Sequence, residues 1–262
     1  MPNNRPRLAF HEWPAAIYAI GDVHGQLQQL RELEAVIAQD ALDLEGEKWL
    51  VTLGDHIDRG PQSAAVVEHV LGPAPGGFRR FALVGNHEAM LVDFLHDPHE
   101  FEYWLPEGGA ETLKSYGIGS GNRSADRATR AAYVERMSLG IPGTHLEYFM
   151  KGPISLLVPG WAFVHAGIRP GVPLALQDDR DLMWIREPFL SSQMTGGLRI
   201  VHGHTPVRDI TMTPHRINLD TACFSSGKLS AVRITPDGRT KFFSVEGPKA
   251  KDWSRPGRSY SG

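Results

Sequence analysis

Three times in its first 95 residues, the chain runs from a short apolar segment into a glycine-led polar loop and then into helical spacing. Ala16-Ile17-Tyr18-Ala19-Ile20 ends at Gly21-Asp22-Val23-His24-Gly25, after which Leu27, Leu30, Leu33 and Ile37 recur on one helical face between Gln26 and Gln39. Trp49-Leu50-Val51-Thr52-Leu53 ends at Gly54-Asp55-His56-Ile57-Asp58-Arg59-Gly60-Pro61, with a helix expected over about 62–71. Phe81-Ala82-Leu83-Val84 ends at Gly85-Asn86-His87-Glu88, followed by a helix carrying Met90, Leu91, Phe94 and Leu95. Short apolar runs closed by glycine read as buried strands. Strand, loop and helix repeated in this order imply parallel strands with crossover helices. Ligands gather at the carboxyl ends of such strands, and all three polar loops sit there.

The rest of the chain reads differently. Residues 1–15, with Pro2, Pro6 and Pro14, look like an irregular lead-in. Residues 96–150 are polar, glycine-punctuated and helix-prone, and are expected to form a helical insertion in one catalytic domain spanning 16–246. Apolar runs return at Ile154–Val158, Trp161–Val164, Ile200–Val201, Ile217–Leu219, Leu229–Ile234 and Lys241–Val245, and predict an antiparallel or mixed second sheet. Residues 247–262, with Lys249, Lys251, Arg255 and Arg258, read as a flexible, solvated tail. The expected fold is α/β, with two packed mixed β-sheets flanked by helices.

Composition mainly excludes. A formal charge of −3 argues against a protein that coats nucleic acid. One cysteine, Cys223, removes a disulfide scaffold and a thiolate zinc site. There is no apolar run long enough for a membrane helix, and the first residues lack the apolar core of a signal peptide, so a reducing cytoplasm is expected.

The polar residues at the strand ends form a ligand set. Asp22, His24, Asp55, Asn86, His165 and His204 offer oxygen and imidazole donors without thiolate. That chemistry suits Mn²⁺, Fe²⁺, Zn²⁺ or Mg²⁺. Six such donors, with Asp55 able to bridge, suffice for two ions of the kind that clamp an in-line displacement at phosphorus. His202 lies two residues before His204 and points the same way on a strand. It competes for the last position, and His204 is favoured for its place in Gly203-His204. His56 reads as a packed residue rather than a substrate contact. His11, His69, His96, His99, His145 and His215 read as surface or supporting residues. Asp220 fits either a partner of a metal-binding histidine or a turn aspartate.

Gly21-Asp22-Val23-His24-Gly25, Gly54-Asp55-His56-Ile57-Asp58-Arg59-Gly60 and Gly85-Asn86-His87-Glu88 resemble the three signature blocks of the phosphoprotein phosphatase family, a branch of the calcineurin-like metallophosphoesterases. His165-Ala166-Gly167 and Gly203-His204-Thr205-Pro206 resemble its two later metal-binding blocks, and Trp184-Ile185-Arg186 its second arginine segment. The small bacterial and phage serine/threonine protein phosphatases are the most similar members. Their likeness extends to Trp104-Leu105, Gly108-Gly109 and Asn218-Leu219-Asp220-Thr221-Ala222, over about residues 16–245. The resemblance implies two divalent ions, manganese foremost, with Asp22, His24 and Asp55 on the first and Asp55, Asn86, His165 and His204 on the second. It implies His87 as general acid, Asp58 on the other ring nitrogen, and Arg59 and Arg186 on the phosphate. Attack by a metal-bridging hydroxide, without a covalent phosphoenzyme, would follow.

The chemistry is coherent with those roles. Arginine forks match phosphate oxygens, and a histidine beside a carboxylate is suited to deliver a proton near neutrality. The expected activity is hydrolysis of phosphomonoesters, foremost phosphoserine and phosphothreonine in proteins. The alternatives are symmetrical dinucleoside tetraphosphate hydrolysis and, less favoured, a non-catalytic phosphoprotein-binding module. Substrates would be a phosphorylated protein or a small phosphorylated molecule. No nucleic acid, membrane or regulatory subunit is implied.

Overall fold

The computed structural model describes residues 5–98, 100–119 and 127–248. His99 and the basic tail positions lie outside them. Eleven strands appear among the described residues: β1 (Arg7–Ala9), β2 (Ala16–Ile20), β3 (Lys48–Thr52), β4 (Arg79–Ala82), β5 (Ser155–Val158), β6 (Trp161–Val164), β7 (Arg199–His202), β8 (Thr211–Met212), β9 (Arg216–Asn218), β10 (Lys228–Ile234) and β11 (Thr240–Glu246). They form two mixed sheets, ordered β11-β10-β2-β3-β4 and β1-β5-β6-β7-β9-β8. The parallel run β2-β3-β4 is joined by the helices α1 (Leu27–Asp40) and α2 (Ser63–Leu71).

Alternation along the strands explains the layering, because successive side chains face opposite sides. Ile17 and Ala19 on β2 face Leu156, Phe163, Val201 and Ile217 of the other sheet and fill the space between the two sheets. Ala16, Tyr18 and Ile20 face outward onto Leu30, Leu33 and Ile37 of α1. The second sheet presents Ala162, Val164 and Ile200 to Met90, Phe94, Trp104 and Phe149 from helical segments on its outer face. Each fully buried Leu, Ile or Phe contributes about 1.5–3 kcal/mol, so the helix–sheet–sheet–helix sandwich is anchored on three apolar clusters. No helix among the described residues is long and apolar enough to cross a membrane.

Two expectations need correction. The lead-in is not all irregular: Arg7–Ala9 pairs in parallel with Ser155–Leu157 and edges the second sheet. Its proline-rich surroundings hid a three-residue strand too short for alternation to show. Second, β10 and β11 do not join the second sheet. β10 runs antiparallel to β2, with Val232 opposite Ala19, so the chain returns to extend the first sheet. Hairpin spacing reveals the β10–β11 pair but not which free edge it joins. Within 96–150 the chain forms α4 (Gly109–Ser115), α5 (Arg127–Gly140) and α6 (Gly143–Lys151), and Trp104, Leu113 and Phe149 are fully buried in the main body.

Candidate active site

The carboxyl ends of β2, β3, β4, β6 and β7 converge. The loops after them are tightly wound: His24, Asp55, Asp58, Arg59 and His204 all have positive φ, between 45° and 72°. A non-glycine residue pays roughly 1–2 kcal/mol for that conformation, so five such residues at strand ends mark a place where side-chain direction overrides backbone comfort. Two glycines make the convergence possible. A Cβ on Gly85 would run into the Asp55 carboxylate, and one on Gly203 into that of Asp22.

Asp55 is central. Its Oδ1 lies 3.3 Å from His165 Nε2, and its Oδ2 lies 3.5 Å from His24 Nε2 and 3.8 Å from His87 Nε2. Two compact groups of donor atoms result, His24–Asp55–His87 and Asp55–His165–His204, with Asp55 common to both. Asn86 Oδ1 is 2.8 Å from both His165 Nε2 and His204 Nδ1. Asp22 accepts the His204 amide at 3.1 Å. All six residues read from the sequence as ligands are therefore assembled in one place. The sequence had not anticipated that His87 would stand beside His24 and Asp55 in the first group.

The donor set fits cations. His24 and His165 each donate Nδ1–H to a backbone carbonyl, of Ile57 at 2.8 Å and Leu53 at 2.9 Å. That fixes the tautomer and turns the Nε2 lone pairs inward. His165 Nε2 thus faces Asn86 Oδ1 and Asp55 Oδ1, three acceptors with no hydrogen between them. Nε2 of His204 is buried without a partner. Burial also holds the imidazoles neutral: it pushes His24 and His204 well below the ordinary histidine range and His165 to about 4. The carboxyls go the other way. Burial raises Asp22 and Asp55, and the nearby charges of Asp220 on Asp22 and Glu88 on Asp55 raise them further. Neutral imidazoles and crowded carboxylates favour a bound cation.

The second constellation is polar and cationic. His87 Nδ1 lies 2.6 Å from Asp58 Oδ2, while its Nε2 faces Arg59 Nη2 at 2.9 Å. Arg59 Nη1 reaches His24 Nε2 at 2.8 Å, and the Phe224 ring covers the guanidinium, 4.6 Å from centroid to Cζ. Arg186 is exposed just after α7 (Asp179–Trp184), and its charge depresses the His165 and His204 imidazoles. Trp184 stands half-buried with its ring 6.4 Å from that of His204.

Other residues fall into place. His56 is fully buried, bonded to Thr52 Oγ1 at 2.7 Å and the Tyr148 hydroxyl at 2.9 Å. His202 contacts Gly203 O at 3.0 Å and Arg216 at 3.4 Å, outside both donor groups. Asp220 is buried near Asp22 and accepts the Ala222 amide at 2.9 Å.

Sequence reading missed Glu88 as an organiser. Its carboxylate accepts the amides of Gly85 at 2.8 Å, Asp55 at 3.0 Å and His56 at 2.7 Å, tying the second and third loops together. Burial alone would raise its pKa, but neighbouring His56 and the Gly85 amide bring it down to about 2. The only signal was its place in Gly-Asn-His-Glu. Thr112 and Phe224 gave none.

The calcineurin-like phosphoesterase profile matches residues 15–231. The chain is 25% identical over 236 residues to the asymmetrical bis(5'-nucleosyl)-tetraphosphatase PrpE of Oceanobacillus iheyensis, covering 82% of this chain and 87% of that one. It is 26% identical over 245 residues to serine/threonine-protein phosphatase 2 of Escherichia coli, covering 89% and 100%. It is 30% identical over 240 residues to the symmetrical bis(5'-nucleosyl)-tetraphosphatase of Aromatoleum aromaticum, covering 89% and 72%. With the sandwich fold and the assembled donor groups, these matches make the chain a hydrolytic enzyme that belongs to the calcineurin-like phosphoesterase family.

Proposed function

We propose that the protein is a two-metal phosphomonoesterase acting on phosphoserine and phosphothreonine, with manganese as the favoured ion and the cytoplasm as its setting. The observation that carries this reading is the Asp58–His87 pair, 2.6 Å apart and aimed at Arg59. A departing serine or threonine alkoxide is strongly basic and needs a proton. A nucleotide phosphate leaving a phosphoanhydride is a weak base and needs one far less. An acid held by a buried carboxylate therefore favours the alkyl ester.

In this reading Asp22, His24 and Asp55 hold one ion, and Asp55, Asn86, His165 and His204 the other. The ions supply an activated water and neutralise charge on the phosphoryl oxygens. Arg59 and Arg186 grip the remaining oxygens, a fork-and-oxygen match that fixes the ester for in-line displacement. Asp58 accepts Nδ1–H of His87 and directs Nε2 toward the leaving oxygen. His87 is neutral in the free enzyme, pushed low by burial and then by Arg59. A phosphate dianion beside Arg59 offsets that positive charge and raises the proton affinity of His87 when the substrate arrives.

Hydrolysis of dinucleoside tetraphosphates is the second reading, supported by the names of two relatives above. Metal-stripped protein reloaded with Mn²⁺ separates the two readings. Phosphate release from a phosphoserine/phosphothreonine peptide should exceed that from a phosphotyrosine peptide and the turnover of diadenosine tetraphosphate. Faster turnover of the nucleotide would replace the protein-phosphatase reading with the second one.

A further inference from the structure

We propose that Trp104 and Thr112, from the segment between α3 (Asn86–His96) and α5, are positioning residues of the reaction: they lock the Asp58 carboxylate and, through it, the His87 ring. This rests on the reading of His87 as the acid. Asp58 is fully buried and its carboxylate accepts three hydrogen bonds. Oδ2 accepts His87 Nδ1–H at 2.6 Å and the indole Nε1–H of Trp104 at 2.7 Å. Oδ1 accepts the Thr112 hydroxyl at 2.6 Å, and the same hydroxyl accepts the Asp58 amide at 2.8 Å. Two side chains from one segment therefore fix both carboxylate oxygens. A third contact fixes the backbone.

The segment is shaped for this. Asp58 and Arg59 sit at φ 72° and 67°. The turn packs against Gly108, itself at φ 116°, where a Cβ would collide with Arg59 N and Asp58 Cβ. Gly109 lies flat on the Trp104 indole, so a side chain there would strike the ring. The two glycines let Trp104 and Thr112 close on Asp58 from either side. A buried indole N–H needs an acceptor, and the one Trp104 takes is the oxygen that already holds His87. The consequence is geometric: Asp58 cannot rotate, so His87 keeps Nε2 toward Arg59 and the leaving group.

The test compares two aryl phosphates in metal-loaded protein. p-Nitrophenyl phosphate releases a weakly basic group that leaves unaided, whereas phenyl phosphate releases a basic one that needs the proton. His87→Asn is the reference. Trp104→Phe and Thr112→Val should lose about 10–100-fold in kcat on phenyl phosphate, the size of loss seen when the hydrogen-bond partner that orients a metal-bound histidine is removed. They should lose less than about threefold on p-nitrophenyl phosphate, with KM and bound metal unchanged. Thr112→Ser, which keeps the hydroxyl, should stay close to wild type. Equal loss on both esters, or no loss on either, overturns the proposal and leaves these residues as packing. Thr112→Val changes one atom at constant shape, so it decides the matter if Trp104→Phe does not fold. If His87→Asn itself shows no leaving-group preference, the acid reading fails first and takes the proposal with it. A His87→Asn effect without a Trp104 or Thr112 effect sinks the proposal alone.

Discussion

The two ends of the sheets are built on opposite terms. At the carboxyl ends, strained loops crowd Asp22, Asp55 and four histidines into a buried space where like charges meet and lone pairs lack hydrogens. At the amino ends of β3 and β4, Phe10, Trp49 and Phe81 pack ring against ring at 4.4–5.5 Å, with Arg79 lying over all three. One end accepts instability for the sake of a ligand, and the other supplies stability. The difference teaches where each kind of substitution should register: rate at one end, melting temperature at the other.

The largest effect should come from Asp55→Asn. It removes the charge shared by both donor groups, so kcat should fall by roughly 10⁴-fold or more, beyond the loss of a general acid. Metal analysis should show at least one ion lost. Retention of both ions with full activity would remove Asp55 from its bridging role. His87→Asn should cost about 10²–10⁴-fold in kcat with both ions retained, and wild-type turnover in that variant would end its role as acid. At the far end, Trp49→Ala should lower stability by about 3–5 kcal/mol while kcat at 25 °C stays within about twofold. A rate loss of the size expected for His87→Asn would break the division between the ends.

A subtler variant sharpens the same contrast. Asp22 is held above the ordinary carboxyl range by burial and by Asp220 and Asp55. A raised folded-state pKa means that stability is present at low pH and lost as pH rises through that pKa. Asp22→Asn should therefore raise the melting temperature of metal-free protein at neutral pH while lowering activity after Mn²⁺ is added. A lower melting temperature in the metal-free variant would contradict the reading of Asp22 as a carboxylate kept for a cation.

Much of the first end was legible in the sequence because its chemistry lies in contiguous blocks. Asp22 and His24, Asp55 to Arg59, and Asn86 to Glu88 each follow a strand that ends in glycine, and glycine there is a direct trace of close approach. His204 follows Gly203 in the same way, and His165 stands directly after the apolar run Trp161–Val164. What could not be read was coupling between blocks distant in the chain. Trp104 and Thr112 reach Asp58 across 46 and 54 positions, and no local pattern marks a tryptophan whose N–H meets a carboxylate. Phe224 over Arg59 is equally non-local. The fold shows the same limit. The apolar runs of β10 and β11 were plain, but the sheet they join depends on which edge is free, a property of the assembled body.

The smallest effect concerns His202, the histidine that competed in the sequence with the favoured His204 for the last ligand position. His202 lies on β7, donating to Gly203 O and facing Arg216, and burial depresses its pKa to about 3. The unfolded chain takes up a proton there near pH 6.5, whereas the folded chain resists until far lower. The stability that His202 contributes is thus fully present above pH 6.5 and drains away as pH falls toward 3. In His202→Gln, where nothing titrates, the melting temperature should fall less steeply between pH 6.5 and 4 than in wild type. Bound metal and neutral-pH turnover should match wild type, because His202 stands outside both donor groups. Loss of an ion in this variant would move the last ligand position from His204 to His202 and redraw the boundary of the site by two residues.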